Sequence, residues 1–473
     1  MRAAVVLILL LAGCATTEPK SAPVQPLPEA WFAPAADAPA PEDWWRARLE
    51  DPALRRLVEA ALANSPDLAG AVARIELARA GLRATEAERL PALNGSAGIT
   101  YNRTSSQEFG FQAPAGAPPG QGPQIDRERI LTRVGIEGSW DADLFGRLAA
   151  ERRAAAARID AAGFDAAAVR LSLVTDVARN FVAARAASAR EAIANENVRS
   201  ARDSVSIASE RVRVGLAPGI DRIRAETLLA EAASSVPSAQ AERSGRIAAL
   251  ATLTGLPPAE IDKLAGAVAA TPRFEAPAAA VPSVLLQRRP DIAAGLARVA
   301  AADADTAAAI RARYPRLSIT ATLGLVATAL GDLFSADALS AAAGPGLAGP
   351  LLDFGRNRAR AAEARARAAE AVAAYRGTVL RAFGEVETNL ALVDARRRQR
   401  LALERQLATA REAVEVARIQ YRSGLADYLG VLDAERALNR VRDQIAGVEA
   451  ETADAQIVLF RAIGGDIHAH AQP

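Results

Sequence analysis

Asp143-Leu144-Phe145-Gly146-Arg147 opens a proline-free, alanine-rich stretch that closes at Val214-Gly215-Leu216-Ala217. Leu352-Asp353-Phe354-Gly355-Arg356 opens a second, closing at Ser423-Gly424-Leu425-Ala426. In both, the two glycines (Gly146 and Gly215, Gly355 and Gly424) stand 69 residues apart. At a rise of about 1.5 Å per residue, a helix filling that interval is on the order of 100 Å long. No compact globular core needs such an element. It implies a tube, a stalk or a coiled coil.

The two stretches belong to a longer internal repeat. Asn64-Ser65-Pro66-Asp67 matches Arg288-Arg289-Pro290-Asp291, and Arg89-Leu90-Pro91-Ala92-Leu93 matches Arg313-Tyr314-Pro315-Arg316-Leu317, both at an offset of 224. From Phe145/Phe354 through Gly215/Gly424, Glu226/Glu435 and Gly255/Gly464 the offset is 209. The second copy is therefore 15 residues shorter between Leu93 and Phe145, as when a loop shrinks between elements of fixed length. Each copy opens with Pro-Asp, a helix start with an acid near the positive end of the dipole. These first helices are expected to reach Leu90 and Tyr314, where the following proline stops them.

Strands follow. In Leu93–Asn102 the odd positions are apolar or small and the even ones polar or Gly. Ile130, Thr132, Val134, Ile136 and Trp140 alternate with Arg133, Glu137, Ser139, Asp141 and Asp143. Leu317, Ile319, Ala321, Leu323 and Leu325 alternate with Ser318, Thr320 and Thr322, and Leu347 and Leu351 keep a weaker period of two between Pro345 and Pro350. Gln107–Gln124, rich in Gly and Pro, reads as a surface loop. Strands of about ten residues, apolar on one face and polar on the other, suit a transmembrane barrel. A half-buried soluble sheet would show the same alternation. Four strands cannot close a barrel alone, and an open edge is not viable in lipid. A barrel would have to be shared among chains.

Along the long helices, apolar residues recur every seven positions: Val198, Val205, Val212; Leu407, Val414, Tyr421; Val372, Val379, Val386, Val393. Such rows favour left-handed coiled-coil packing. Shorter helices return after each Gly-Leu-Ala turn, roughly Asp221–Leu253 and Asp427–Ile463. A helix at Pro66–Leu90 stacked on one of them nearly matches the long helix, which suggests a cylinder wall with two short helices beside each long one. Ala40–Asn64, with Trp44-Trp45 and a short amphipathic helix, and the proline-rich segment Gly255–Pro290 are expected to pack against the outside of that wall.

At the N-terminus, Arg2, the apolar run Ala3–Ala12 and Leu11-Ala12-Gly13-Cys14 form a secretory signal that ends like a bacterial lipobox. Cys14 is the only cysteine in the 473 residues, so cleavage and lipidation there leave no thiol for a disulfide or a metal. Ala15–Pro41 reads as a tether. The 57 basic and 55 acidic residues are interleaved, giving a net charge of +2. This describes solvated helix faces and lacks the one-sign patch of a nucleic-acid groove. His468 and His470 sit in a polar tail, and no phosphate loop or catalytic cluster is evident, which argues against an enzyme and against a cofactor other than the lipid on Cys14.

With these pieces laid out, the chain resembles the TolC-like outer-membrane factors, specifically the NodT-type efflux lipoproteins. The resemblance covers nearly all of Trp44–Gly465. It is carried by Ser139-Trp140-Asp141-Ala142-Asp143-Leu144-Phe145-Gly146-Arg147, Arg289-Pro290-Asp291-Ile292, and the run Tyr421-Arg422-Ser423-Gly424-Leu425-Ala426-Asp427-Tyr428-Leu429-Gly430-Val431-Leu432-Asp433-Ala434. It implies a mainly α fold with a membrane β-barrel portion: a homotrimer whose duplicated helix–strand–strand–long helix–helix units build an α-barrel tunnel in the periplasm and a shared 12-stranded barrel in the outer membrane. It also implies two partners, a periplasmic adaptor (membrane fusion protein) and an inner-membrane pump of the RND type. Gly215, Leu216, Ala217 and Gly424, Leu425, Ala426 would form the tips that engage the adaptor. Relatives often place two acids one turn apart on the last helix, lining the closed tip. Asp433 matches one, but the other position is Gly430. The first copy has Asp221 opposite Gly430 and Arg224 opposite Asp433, so a gate drawn from Asp433, Asp221, Arg224 and Tyr421 would be differently built.

The expected organisation is a signal peptide (1–13), a lipid-anchored tether (14–42), a first structural repeat (43–255), a linker (256–288), a second repeat (289–465) and a tail (466–473). Strands are expected at about 92–105, 130–144, 316–328 and 341–353, and long helices at about 147–214 and 356–423. The function expected is a passive exit duct of a tripartite export system, lipid-anchored in the outer membrane. The alternative is a structural coiled-coil lipoprotein, a tether or surface stalk without transport activity.

Overall fold

The computed structural model describes residues 28, 30–33, 51–103, 128–266 and 288–464. Cys14, Trp44-Trp45, the Gln107–Gln124 loop, His468 and His470 lie outside them. In chain order the elements are α1 (Pro52–Asn64), α2 (Pro66–Ala87), β1 (Ala92–Arg103), β2 (Glu128–Asp141), α3 (Arg147–Arg213), α4 (Gly219–Thr254), α5 (Pro258–Ala265), α6 (Pro290–Arg311), β3 (Arg316–Ala327), β4 (Leu339–Ala348), α7 (Arg356–Arg422) and α8 (Tyr428–Ala462). The long helices α3 and α7 have 67 residues each. Among the described residues no helix is long and apolar enough to cross a membrane.

The chain divides into two compact units that cut across the repeat, each taking matching pieces of both copies. One comprises Leu77–Ile159 and Arg298–Ala371; the other takes in Asp160–Ala297 and Val372 onward, with Pro23–Glu76.

The first unit holds an antiparallel sheet in the order β1-β2-β3-β4. Its register turns the alternation of four separate strands into two continuous faces. On one, Tyr101 pairs with Ile130, Ala97 with Val134 and Val134 with Leu325, while Ile136 pairs with Leu323 and Leu325 with Leu339. On the other, Asn94 meets Glu137, Glu137 meets Thr322, and Ser139 meets Thr320. Ile99, Ile136, Leu323, Leu339 and Leu347 are exposed on the apolar face. Gly135 and Gly324 pair across β2 and β3, where a Cβ on Gly324 would come within 2.6 Å of the Val134 carbonyl oxygen. Only glycine allows so close an approach of the two backbones.

The strand ends differ from expectation. β2 stops at Asp141 and does not run to 144, because Asp143 takes a positive φ of 44° and its carboxylate accepts from the Leu148 and Ala149 amides at 2.9 and 2.8 Å, capping α3. β4 occupies Leu339–Ala348 and not 341–353: Pro350 has no N–H for a ladder, and a Cβ on Gly349 would collide with Pro315. α2 and α6 end at Ala87 and Arg311, with a final turn before Pro91 and Pro315. In the second copy Asp353 caps the long helix, accepting from Gly355 and Asn357 at 3.0 Å each, and these amides hold its carboxyl below the usual carboxylate range. The Asp stands one residue later here than in the first copy, and Phe354 takes the left-handed conformation in its place. Trp140 donates its indole N–H to the Arg89 carbonyl (2.8 Å), Arg311 donates to Gly146 O (2.9 Å), and Phe145 stacks on Tyr314 at 4.9 Å, tying strands and helix ends together.

In the second unit, α1 and α5 pack into one core with α3, α4 and α8: Leu54, Leu57 and Val58 meet Val177, Phe181 and Val182, Leu250, Ile261 and Ile457. The segment after Gly255 is thus in part a helix, buried through Ile261 and Ala265. The seven-residue rows are buried in part: Val379 and Val386 are 1% and 0% exposed and Val414 and Tyr421 are 6% and 3%, whereas Val205, Val212, Val372, Val393 and Leu407 are half-buried.

The repeat is also visible in how each copy's Pro-Asp helix start meets the end of its own last helix. Asn64 donates to Thr254 O at 2.8 Å, and Arg289 donates to Ala462 O at 2.9 Å. Arg289 is buried and also binds both oxygens of Asp291 (3.0 and 2.7 Å) and Glu385 (2.8 Å), which accounts for the Arg-Pro-Asp motif.

Candidate functional site at the helix turns

Both long helices end in the same hydrogen-bond pattern. Leu216 N donates to Arg211 O (2.8 Å) and Gly215 N to Val212 O (3.1 Å); Leu425 N donates to Gln420 O (2.9 Å) and Gly424 N to Tyr421 O (3.1 Å). These are Schellman turns, which place a left-handed residue after the helix. Gly215 and Gly424 fill that place with φ of 74° and 75°. The following leucines point away from the helices, Leu216 being 66% and Leu425 81% exposed. Ala217 and Ala426 are half-buried.

Beneath the turns lies a core of Val198, Ala201, Ala208, Ala225, Leu228, Tyr421, Tyr428, Val431 and Leu432, drawn from α3, α4, α7 and α8. Within it, the Tyr421 hydroxyl donates to Asp221 Oδ2 at 3.3 Å, and Arg224 stands 3.8 Å from Asp221 Oδ1. Asp221 is 2% exposed. Burial, and then the Asp221 charge, push the Tyr421 hydroxyl above its ordinary pKa, so it stays a donor. Tyr428 meets Tyr421 edge-on at 5.4 Å, and burial, reinforced by Glu435, pushes its hydroxyl up to about 12. Three of the four expected gate residues are therefore together. The fourth, Asp433, is on the exposed face of α8.

Sequence reasoning missed the strongest polar contact here. Glu435, 3% exposed, accepts from Ser204 Oγ (2.8 Å) and from Arg418 Nε and Nη2 (3.0 and 2.7 Å), and Arg418 also donates to Ser200 Oγ (2.7 Å). The repeat did flag Glu435, but only as the counterpart of Glu226, which is exposed and pairs with Arg222 on its own helix. Among the described residues no group of three or more His, Cys, Asp or Glu could hold a metal ion.

What this arrangement offers is two exposed apolar turns over a buried Tyr421–Asp221 contact. The family model for the outer membrane efflux proteins matches residues 57–256 and 281–465. The chain belongs to the outer membrane efflux protein family. It is 32% identical over 473 residues to the outer membrane protein OprJ of Pseudomonas aeruginosa, covering 98% of this chain and 95% of OprJ. It is 31% identical over 462 residues to the pyoverdine export outer membrane protein OpmQ of Pseudomonas putida, covering 97% and 96%. Among solved structures, the outer-membrane channel OprN superposes with a TM-score of 0.82 at 29% identity, over 94% of this chain and 98% of that one. The protein is an outer-membrane efflux channel, and the reading as a transport-free stalk is set aside.

Proposed function

We propose that three copies of this chain assemble into the exit duct of a tripartite export system. The observation that carries this reading is the sheet with two open edges. Among the described residues β1 and β4 each have a single partner strand, while the face formed by Ile99, Val134, Ile136, Leu323 and Leu339 is apolar and exposed. An apolar face of this kind suits lipid, but unpaired edges do not. Three four-stranded sheets joined edge to edge give a closed barrel of twelve strands, with Asn94, Glu137, Thr320 and Thr322 facing its lumen. The paired helices of the three chains then build the periplasmic tunnel.

In this reading Cys14 carries the lipid as a second hold on the outer membrane, and no other cofactor takes part. Gly215, Leu216, Ala217 and Gly424, Leu425, Ala426 present the surface that a periplasmic adaptor grips, linking the duct to an inner-membrane pump of the RND type. The exposure of Leu216 and Leu425 supports this, since neither leucine has a core to fill. Tyr421, Asp221 and Arg224 form the latch of the closed tip, and Asp433, exposed on α8, contributes charge there without the paired acid that Gly430 replaces.

The test is conductance. Purified protein should run as a trimer and form ion-conducting pores in planar bilayers. Inert bilayers, with the chain soluble once its lipid is removed, would overturn the reading. Cys14→Ser should lose the lipid and still remain in the membrane. Deleting Gly424–Asp427 should abolish export and leave trimers in place; unchanged export would refute the docking surface.

A further inference from the structure

Arg211 lies in the last turn of α3, and its guanidinium reaches across to the other repeat. Nη1 donates to Arg422 O at 2.6 Å, one of the carbonyls left without a helical partner at the end of α7. Nη2 donates to Leu216 O at 3.2 Å, inside the first exposed turn. The plane lies over the Tyr421 ring, 4.9 Å from its centroid. One planar fork thus holds the turn of one repeat, the helix end of the other, and the ring that bonds Asp221. A positively charged group at the C-terminal end of α7 also meets the negative end of its dipole.

The clasp runs one way. The residue that matches Arg211 in the second copy is Gln420, which is exposed, and the residue that matches Arg422 is Arg213, which pairs with Glu210 on its own helix. Nothing in the internal repeat requires an arginine at 211. Two of the three held groups are backbone carbonyls, so displacing either one loosens the contact. Of the held groups, the Leu216 turn is the one that carries an exposed leucine.

We propose that Arg211 is the positioning residue that clasps the second hairpin (α7 and α8) to the first (α3 and α4), and that its withdrawal when the Leu216 turn is displaced lets the tip open. The inference rests on the reading of the turns as the adaptor-docking ends, and goes beyond it by assigning the coupling between them to one side chain.

The experiment uses the full-length protein in planar bilayers with no adaptor present. Arg211→Ala should raise the resting conductance several-fold with trimer assembly and far-UV dichroism unchanged. Arg211→Lys keeps the charge but cannot span two carbonyls as a fork does; it should lie between wild type and the alanine variant, and carries the test if the alanine variant fails to assemble. Gln420→Ala and Arg213→Ala should conduct like wild type. Wild-type conductance in the Arg211 variants, or an equal rise in either control, overturns the proposal. Because no adaptor is present, that result leaves the docking surface to be decided by the export assay of the Gly424–Asp427 deletion.

Discussion

The Tyr421 hydroxyl donates to the Asp221 carboxylate at 3.3 Å, joining the last turn of α7 to the first turn of α4 across 200 residues of sequence. Both side chains are buried, so water competes little for the bond. Tyr421→Phe keeps the ring, its edge contact with Tyr428 and its place under Arg211, and removes only the donor. It should cost about 1 kcal/mol locally and increase the open probability in planar bilayers. An open probability equal to wild type would show that this bond does not hold the tip.

Glu435 gives a larger effect. Replacing it with alanine strands Arg418 beside two serines, and breaking a largely buried pair costs about 3 kcal/mol. A clear drop in the melting temperature of the detergent-solubilised protein is expected. Glu226→Ala, at the matching place in the other copy, should change stability by less than about 0.5 kcal/mol, since Glu226 and its partner Arg222 are roughly half exposed.

The exposed leucines should separate folding from export. Leu425→Asp places a charge where there is nothing to pack against, so trimers and melting temperature should be unaffected while export in cells is lost. Leu216→Asp should behave alike. Export at the wild-type level in both would remove the apolar-contact role.

The two sheet faces make opposite demands. Ile136→Arg puts a charge on the apolar face, at a cost of about 2–4 kcal/mol near the bilayer midplane, and should reduce the amount of protein inserted in the membrane. Glu137→Arg, one residue away on the polar face, should insert normally and shift ion selectivity toward anions, measured as a reversal potential.

Asp291 predicts a pH dependence. Burial raises its pKa, but the two bonds and the charge of Arg289 outweigh this, and the carboxyl ends below its ordinary value. A group with a depressed folded pKa contributes stability that is complete above the unfolded value, near 4 for an Asp, and is lost as pH falls through the folded value. Asp291→Asn should therefore lower the melting temperature at pH 7 and narrow its difference from wild type below about pH 4. A constant difference at all pH values would argue that the pair contributes no linkage.

Much of the architecture was legible in the residues. The glycine spacing, the Pro-Asp starts and the alternation at Leu93–Asn102 and Leu317–Leu325 are local or periodic signals, and helices, strands and Schellman turns form from local signals. The boundaries were less so. Asp143 continued the alternation of β2 on paper, yet its side chain is better used on the amides of α3, and the strand stops before it.

The sequence by itself determined that this protein is a duplicated helix–strand–strand–helix chain with two 67-residue helices, each reversing at a glycine. Only the tertiary structure decided which side chains do the joining. Glu226 and Glu435 are equivalent in the repeat, but one is solvated and the other is buried against Ser204 and Arg418, because helices from both copies converge on only one of them. Asp433, singled out from sequence, stays on the surface, while Arg211, which no repeat or motif marked, reaches Arg422 in the other copy. Periodicity fixes which face of a helix is apolar; whether a charge on it meets water or another helix depends on residues some 200 positions away, and packing alone brings them together.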